Sequence, residues 1–168
     1  FVQQATSGNI SGSATVINNA LVNNNQNATL LVTQNWNPGG NGGVFNAHPI
    51  GVAFNNGSWT IFNEDGAAMT PQATFNVYVL SASNSTFVQT ASATNMQNGT
   101  TAIDNALING DQNAIILVTQ NWNPGSGSGV YNNHPVGVAF DGTHWNIVNE
   151  DQTPIPQGAS FNVIIVQR

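Results

Sequence analysis

Three clusters of side chains able to do chemistry occur in this chain, and each occurs twice. Asn35-Trp36-Asn37-Pro38-Gly39 returns as Asn121-Trp122-Asn123-Pro124-Gly125, His48-Pro49 as His134-Pro135, and Asn63-Glu64-Asp65 as Asn149-Glu150-Asp151. A Trp between two Asn offers a stacking platform for a sugar ring, with amides beside it for the hydroxyls. Asn35, Trp36, Asn37 and His48, with Asn121, Trp122, Asn123 and His134, are therefore the candidate ligand-binding residues. The commoner use of such a group is structural: the Trp plugs the end of a small β core and the Asn side chains satisfy loop backbone. His48 and His134 are candidate general bases or metal ligands with Glu64 and Glu150 as partners, yet a His before Pro at a strand entrance more often bonds a carbonyl or carboxylate. Glu64, Asp65, Glu150 and Asp151 are candidate oxygen ligands for a hard cation such as Ca²⁺. Against this, neighbours on a strand point to opposite faces, and the spacing matches no dedicated calcium loop.

No nucleophile elbow, zinc-binding helix or dinucleotide fingerprint occurs. The glycine-rich loop after each Asn-Trp-Asn cluster does not end in the Lys-Ser/Thr that a phosphate cradle needs. Two identical catalytic sites in one tandem chain are unusual. The chain reads as non-enzymatic, with no catalytic residue and no cofactor. Asn-X-Ser/Thr sequons at Asn9, Asn27, Asn56, Asn84 and Asn98 mark glycosylation acceptors by pattern. None recurs at the matching position of the other copy.

Composition narrows the partners. Seven carboxylates stand against one basic residue, Arg168, for a net charge of −6, and only 5% of residues are charged. Nucleic acid and anionic membrane surfaces need more Lys/Arg than the single Arg168 supplies. Without lysine it makes neither Schiff bases nor Lys–Asn cross-links. Without cysteine it has no disulfide or thiolate metal site. No apolar run is long enough to span a membrane as a helix. The start at Phe1 reads as a mature form after signal-peptide removal, and points to an extracellular or cell-surface location.

The elements that hold the three clusters come from a duplication. Shifted by 86 positions, residues 1–82 align with residues 87–168 without a gap, and 41 of the 82 pairs are identical. The expected organisation is β repeat 1 over 1–82, a linker over 83–86 and β repeat 2 over 87–168. In each, residues 28–34 and 114–120 read as a buried central strand. Residues 48–54 and 59–63 form a hairpin around Asn56-Gly57, and alternating Phe75, Val77 and Val79 make the last strand. Trp59 and Trp145 fall mid-strand, where packing is the expected role. Nothing has a sustained helical period; residues 17–21 and 103–107 allow one turn each. The expected fold is all-β, two small sandwich- or barrel-like repeats in tandem with a pseudo-two-fold relation. An 82-residue β unit without staples has a lean core, so the copies should bury apolar surface on each other or on neighbouring molecules.

On these blocks the chain resembles an uncharacterised family of secreted bacterial repeat domains whose pattern runs NWNPGG, YNNHPIGV, W-x-IFNED and FNV. The stretches here are NWNPGG, VFNAHPIGV, WTIFNED and FNV in the first copy, and NWNPGS, VYNNHPVGV, WNIVNED and FNV in the second. The resemblance implies surface or extracellular modules and carries no activity.

Two functions compete. One is a non-enzymatic extracellular structural protein, a subunit of a filament, surface layer or adhesive matrix that self-associates through β contacts. Low charge lets such subunits pack closely, the ends are apolar-rich strands at Phe1-Val2 and Val163–Val166, and a free strand at one end can complete a neighbour's sheet. The other is a bivalent carbohydrate-binding module with one Asn-Trp-Asn site per repeat, gaining avidity on glycans.

Overall fold

A computed structural model describes residues 1–40 and 42–166; Asn41, Gln167 and Arg168 lie outside the described residues. The described residues form fourteen strands. The first seven are β1 (Val2–Gln4), β2 (Ile10–Ser11), β3 (Ala14–Val16), β4 (Thr29–Gln34), β5 (Ile50–Asn55), β6 (Ser58–Asn63) and β7 (Thr74–Leu80). Then come β8 (Thr86–Thr90), β9 (Met96–Gln97), β10 (Thr100–Ile103), β11 (Ile115–Asn121), β12 (Val136–Phe140), β13 (Trp145–Asn149) and β14 (Ser160–Val166). Among the described residues there is no α-helix, only a 3₁₀ turn at Pro124–Ser126. No helix is long and apolar enough to cross a membrane.

Each repeat is a sandwich of two antiparallel sheets. In the first, β1-β7-β4 faces β2-β3-β6-β5; in the second, β8-β14-β11 faces β9-β10-β13-β12. Alternation along the strands supplies the filling. Leu30, Val32, Phe75 and Val77 from one sheet meet Val52, Phe54, Trp59 and Ile61 from the other. A separate core around Ile103, Ile147, Phe161 and Val163 fills the second repeat. Trp59 is buried and donates from Nε1 to Asn25 O (2.9 Å), and Trp145 does the same to Asp111 O (2.9 Å), so both serve packing.

The β5–β6 hairpin turns on two residues, Asn56 at φ 50° and Gly57 at φ 80°, the positive values that a tight right-twisted hairpin requires. In the second copy Asp141 stands in for this chemistry, its Oδ1 accepting from Thr143 N and His144 N at 2.8 Å each. The two single-turn segments are hydrogen-bonded turns: Asn19 O accepts from Val22 N and Asn23 N, and Asn105 O accepts from Ile108 N and Asn109 N.

Two expectations are corrected. Val163–Val166 is no free end strand, because β14 lies mid-sheet between β11 and β8. The tandem all-β architecture is as expected, but its joint is head-to-tail rather than two-fold. β5 of the first repeat pairs in parallel with β11 of the second, in register Gln120↔Gly51 and Asn121↔Val52. A two-fold would also pair β12 with β4, and no such pair forms among the described residues. The result is one seven-stranded sheet, β2-β3-β6-β5-β11-β14-β8, running across both repeats.

Candidate functional site

The duplicated clusters build one local device in each repeat. β6 delivers Asn63, whose Nδ2 donates to Ala67 O and Ala68 O at 3.1 and 3.2 Å, closing the turn that holds Glu64 and Asp65. Buried Asn46 donates to Asn63 Oδ1 at 2.8 Å and ties the preceding loop to that turn. Asn132 and Asn149 repeat the arrangement reciprocally at 2.8 and 3.0 Å. His48 Nδ1 meets Asp65 Oδ2 at 2.6 Å and His134 Nδ1 meets Asp151 Oδ2 at 2.6 Å. The Ala67 backbone N–H, then His48, hold the Asp65 carboxyl below its ordinary range. The Thr153 hydroxyl, then His134, bring Asp151 down to about 2. Each histidine is thus clasped by a carboxylate at the mouth of β5 or β12.

Glu64 and Asp65 do not converge. Asp65 faces His48, while Glu64 lies across Gly51, where a Cβ would sit 2.1 Å from its Oε1. Glu150 covers Gly137 likewise, at 1.8 Å. This contact is why the motif joins HP-x-G to N-E-D: the carboxylate occupies the room a side chain at the glycine would need. Among the described residues no three His, Asp or Glu side chains come together as metal ligands.

The tryptophans part company. Trp36 is 44% exposed and stacks on Phe45 at 5.2 Å. Trp122 is half-buried beside Tyr131 (5.4 Å), and Tyr131 sets its ring edge-on to Phe62 of the first repeat (6.0 Å). In both loops the chain returns over the Trp backbone at a glycine, Gly43 or Gly129, where a Cβ would overlap the Trp carbonyl oxygen.

The difference arises at the joint. Trp122 N donates to Val52 O at 2.9 Å. The Asn123 amide behaves like a strand's peptide group, accepting from Phe54 N at 2.8 Å and donating to Phe54 O at 2.9 Å. Thr119 Oγ1 accepts from Val32 N at 2.9 Å, and Asn162 Nδ2 donates to Leu30 O at 2.9 Å. Asn121 Nδ2 donates to Asn162 Oδ1 at 2.8 Å and so aims that amide. Glu64, 4% exposed, accepts at Oε2 from Asn132 N at 3.4 Å. Burial, only partly offset by that N–H, pushes its carboxyl from the usual 4.5 up to about 8. Gln120 Oε1, Asn121 Oδ1 and Trp122 Nε1 are buried here without a hydrogen-bond partner.

Of the predicted residues, Asn121, Trp122, Asn123 and Glu64 meet at the joint, whereas Asn35, Trp36, Asn37 and Glu150 stand away from it. His48 and His134 line one open groove of about 450 Å³ between the repeats, with Pro49, Pro135, Thr33 and Thr119. The sequons differ in availability. Asn27, Asn56, Asn84 and Asn98 are exposed, but Asn9 Nδ2 is committed to Gln4 O (2.9 Å). Thr119 and Asn162 were missed as joint residues. Their only signal is identity with Thr33 and Asn76, which gives no hint that one member of each pair is buried and the other exposed.

A family model for a domain of unknown function, DUF7452, matches residues 1–79 and again 55–165. No curated protein and no solved structure matches the chain.

Proposed function

The chain belongs to the DUF7452 family of domains of unknown function, and on that premise we propose that it is a non-enzymatic, extracellular structural subunit that self-associates through sheet edges. One observation carries this reading: two copies of the same unit already join by adding a strand of one to the sheet of the other, β11 to β5. A surface that accepts its own homologue by backbone pairing is suited to building larger arrays. The near absence of charge supports it further, since like-charge repulsion opposes close packing of subunits. Light scattering and electron microscopy across a concentration series test it. Particles that grow with concentration are expected; a single monomeric species at the highest concentration refutes self-association.

A second reading, carbohydrate binding, is favoured by the exposure of Trp36 against Phe45. Each Trp has an aromatic neighbour, but Trp122 is half-buried at the joint, so this reading has one open platform instead of two. A glycan array with Trp36→Ala and Trp122→Ala tests it, and loss of binding in the first variant alone is the expected pattern.

A further inference from the structure

The joint between the repeats uses a donor face on the second and an acceptor face on the first. By the duplication, each face exists once more, unused. The donor residues Thr119, Asn121, Trp122, Asn123 and Asn162 have identical counterparts in Thr33, Asn35, Trp36, Asn37 and Asn76. On the first repeat Thr33 and Asn76 are exposed where Thr119 and Asn162 are buried, and Tyr78 is 60% exposed where Ile164 is 7%. This spare face is already organised: Asn35 Nδ2 donates to Asn76 Oδ1 at 2.9 Å, as Asn121 does to Asn162.

The acceptor face is duplicated too. Val32, Gly51, Val52, Ala53, Phe54 and Glu64 recur as Val118, Gly137, Val138, Ala139, Phe140 and Glu150. Ala53 is 4% exposed under the second repeat, whereas Ala139 is exposed, and Glu150 is exposed where Glu64 is buried. Among the described residues, the outer edge of β12 has no strand beside it, and neither does the Gln34 end of β4.

We infer that the partner of these two faces is a second copy of this chain, whose first repeat docks on the second repeat of its neighbour through the same joint that ties repeats 1 and 2 together. The inference rests on the structural reading above and names its surfaces. Gln34-Asn35 then runs parallel to Gly137-Val138 on the β12 edge. Asn37, whose Oδ1 accepts from Gly42 N at 3.0 Å on the undocked face, turns to the backbone of Phe140, Asn76 takes the carbonyl of Ile116, and the Trp36–Phe45 pair covers Val148 as Trp122 and Tyr131 cover Phe62. Such a contact is heterologous: every docked copy presents a fresh donor or acceptor face, so growth is linear and open unless the rotation closes a ring.

Two surface variants test it. Thr33→Arg blocks the donor face and Ala139→Arg the acceptor face, both at exposed positions; Tyr78→Arg and Glu150→Lys are a second pair, and circular dichroism checks that each folds. Wild type is expected to form species at integer multiples of the monomer mass, and each variant alone to lose them. A one-to-one mixture of Thr33→Arg and Ala139→Arg should give twice the monomer mass and nothing larger, since only one good face of each kind remains. Variants that polymerise like wild type overturn the assigned faces while leaving self-association standing, as does a mixture that stays monomeric. A wild type that is monomeric throughout overturns both. Binding of soluble polysaccharide by a monomer, lost in Trp36→Ala, would give the donor face to a glycan and overturn the inference.

Discussion

Glu64 makes the joint between the repeats sensitive to pH, and the sign follows from its burial. Its carboxyl titrates near 8 in the folded protein and at the usual 4.5 in the unfolded chain. Below pH 4.5 both states hold the proton and the group contributes no pH dependence. Between 4.5 and 8 the unfolded chain has released the proton and the folded chain keeps it, so rising pH favours unfolding. Above 8 both are ionised and the loss is complete. That gap, at about 1.4 kcal/mol for each pH unit, amounts to at most about 5 kcal/mol. This is a large share of the 5–15 kcal/mol typical of a folded domain. Glu64→Gln removes the ionisation and keeps an oxygen to accept from Asn132 N. Calorimetric unfolding of dilute, monomeric protein should show wild type losing stability from pH 5 to pH 8 relative to Glu64→Gln. The two should differ by less than about 1 kcal/mol at pH 5, since the groups they share cancel in the difference. Glu150→Gln, at the uncovered equivalent, is the control and should follow wild type. Parallel stability curves for wild type and Glu64→Gln across this window would refute the claim that the joint buries a protonated carboxyl.

Gly51→Ala places a Cβ 2.1 Å from Glu64 Oε1 and 3.1 Å from Phe62 Cζ, and should cost roughly 1–3 kcal/mol in urea unfolding. Much of that loss should return in Gly51→Ala with Glu64→Ala, because the opposing carboxylate is then gone. Thr119→Val leaves Val32 N buried without its acceptor and should cost about 1–3 kcal/mol in monomer stability, while Thr33→Val on the exposed copy should be neutral within about 0.5 kcal/mol. Equal effects of the two threonine substitutions would show that the repeats do not meet as described.

The duplicated motifs gain a common explanation from the joint. Asn35 and Asn121 each aim an asparagine on the neighbouring strand, the Asn123 amide mimics a peptide group while Asn37 Oδ1 accepts from Gly42 N at 3.0 Å, and Glu64 and Glu150 each shield a glycine. Only one member of each pair is engaged between the repeats. In the docking proposed above, Thr33, Asn35, Trp36, Asn37 and Asn76, identical in type to Thr119, Asn121, Trp122, Asn123 and Asn162, are the residues a neighbouring copy meets.

Read alone, the amino-acid sequence marked the longer strands, because alternation of apolar residues, Asn-Gly turns and the absence of helical periodicity are local properties that act over a few residues; it did not show that β4, expected as a central strand, lies at a sheet edge. It also determined the duplication and the poverty of charge. It marked Asn35, Trp36, Asn37, His48, Glu64 and Asp65 as special without separating their roles. Only the tertiary structure decided that His48 is held by Asp65, that Glu64 turns inward over Gly51, and that Trp122 is covered while Trp36 is open. The physical reason is that two identical segments have identical local preferences. What distinguishes them is which one another sheet covers, and that depends on contacts between residues 68 to 132 positions apart, such as Glu64 with Asn132 and Asn162 with Leu30.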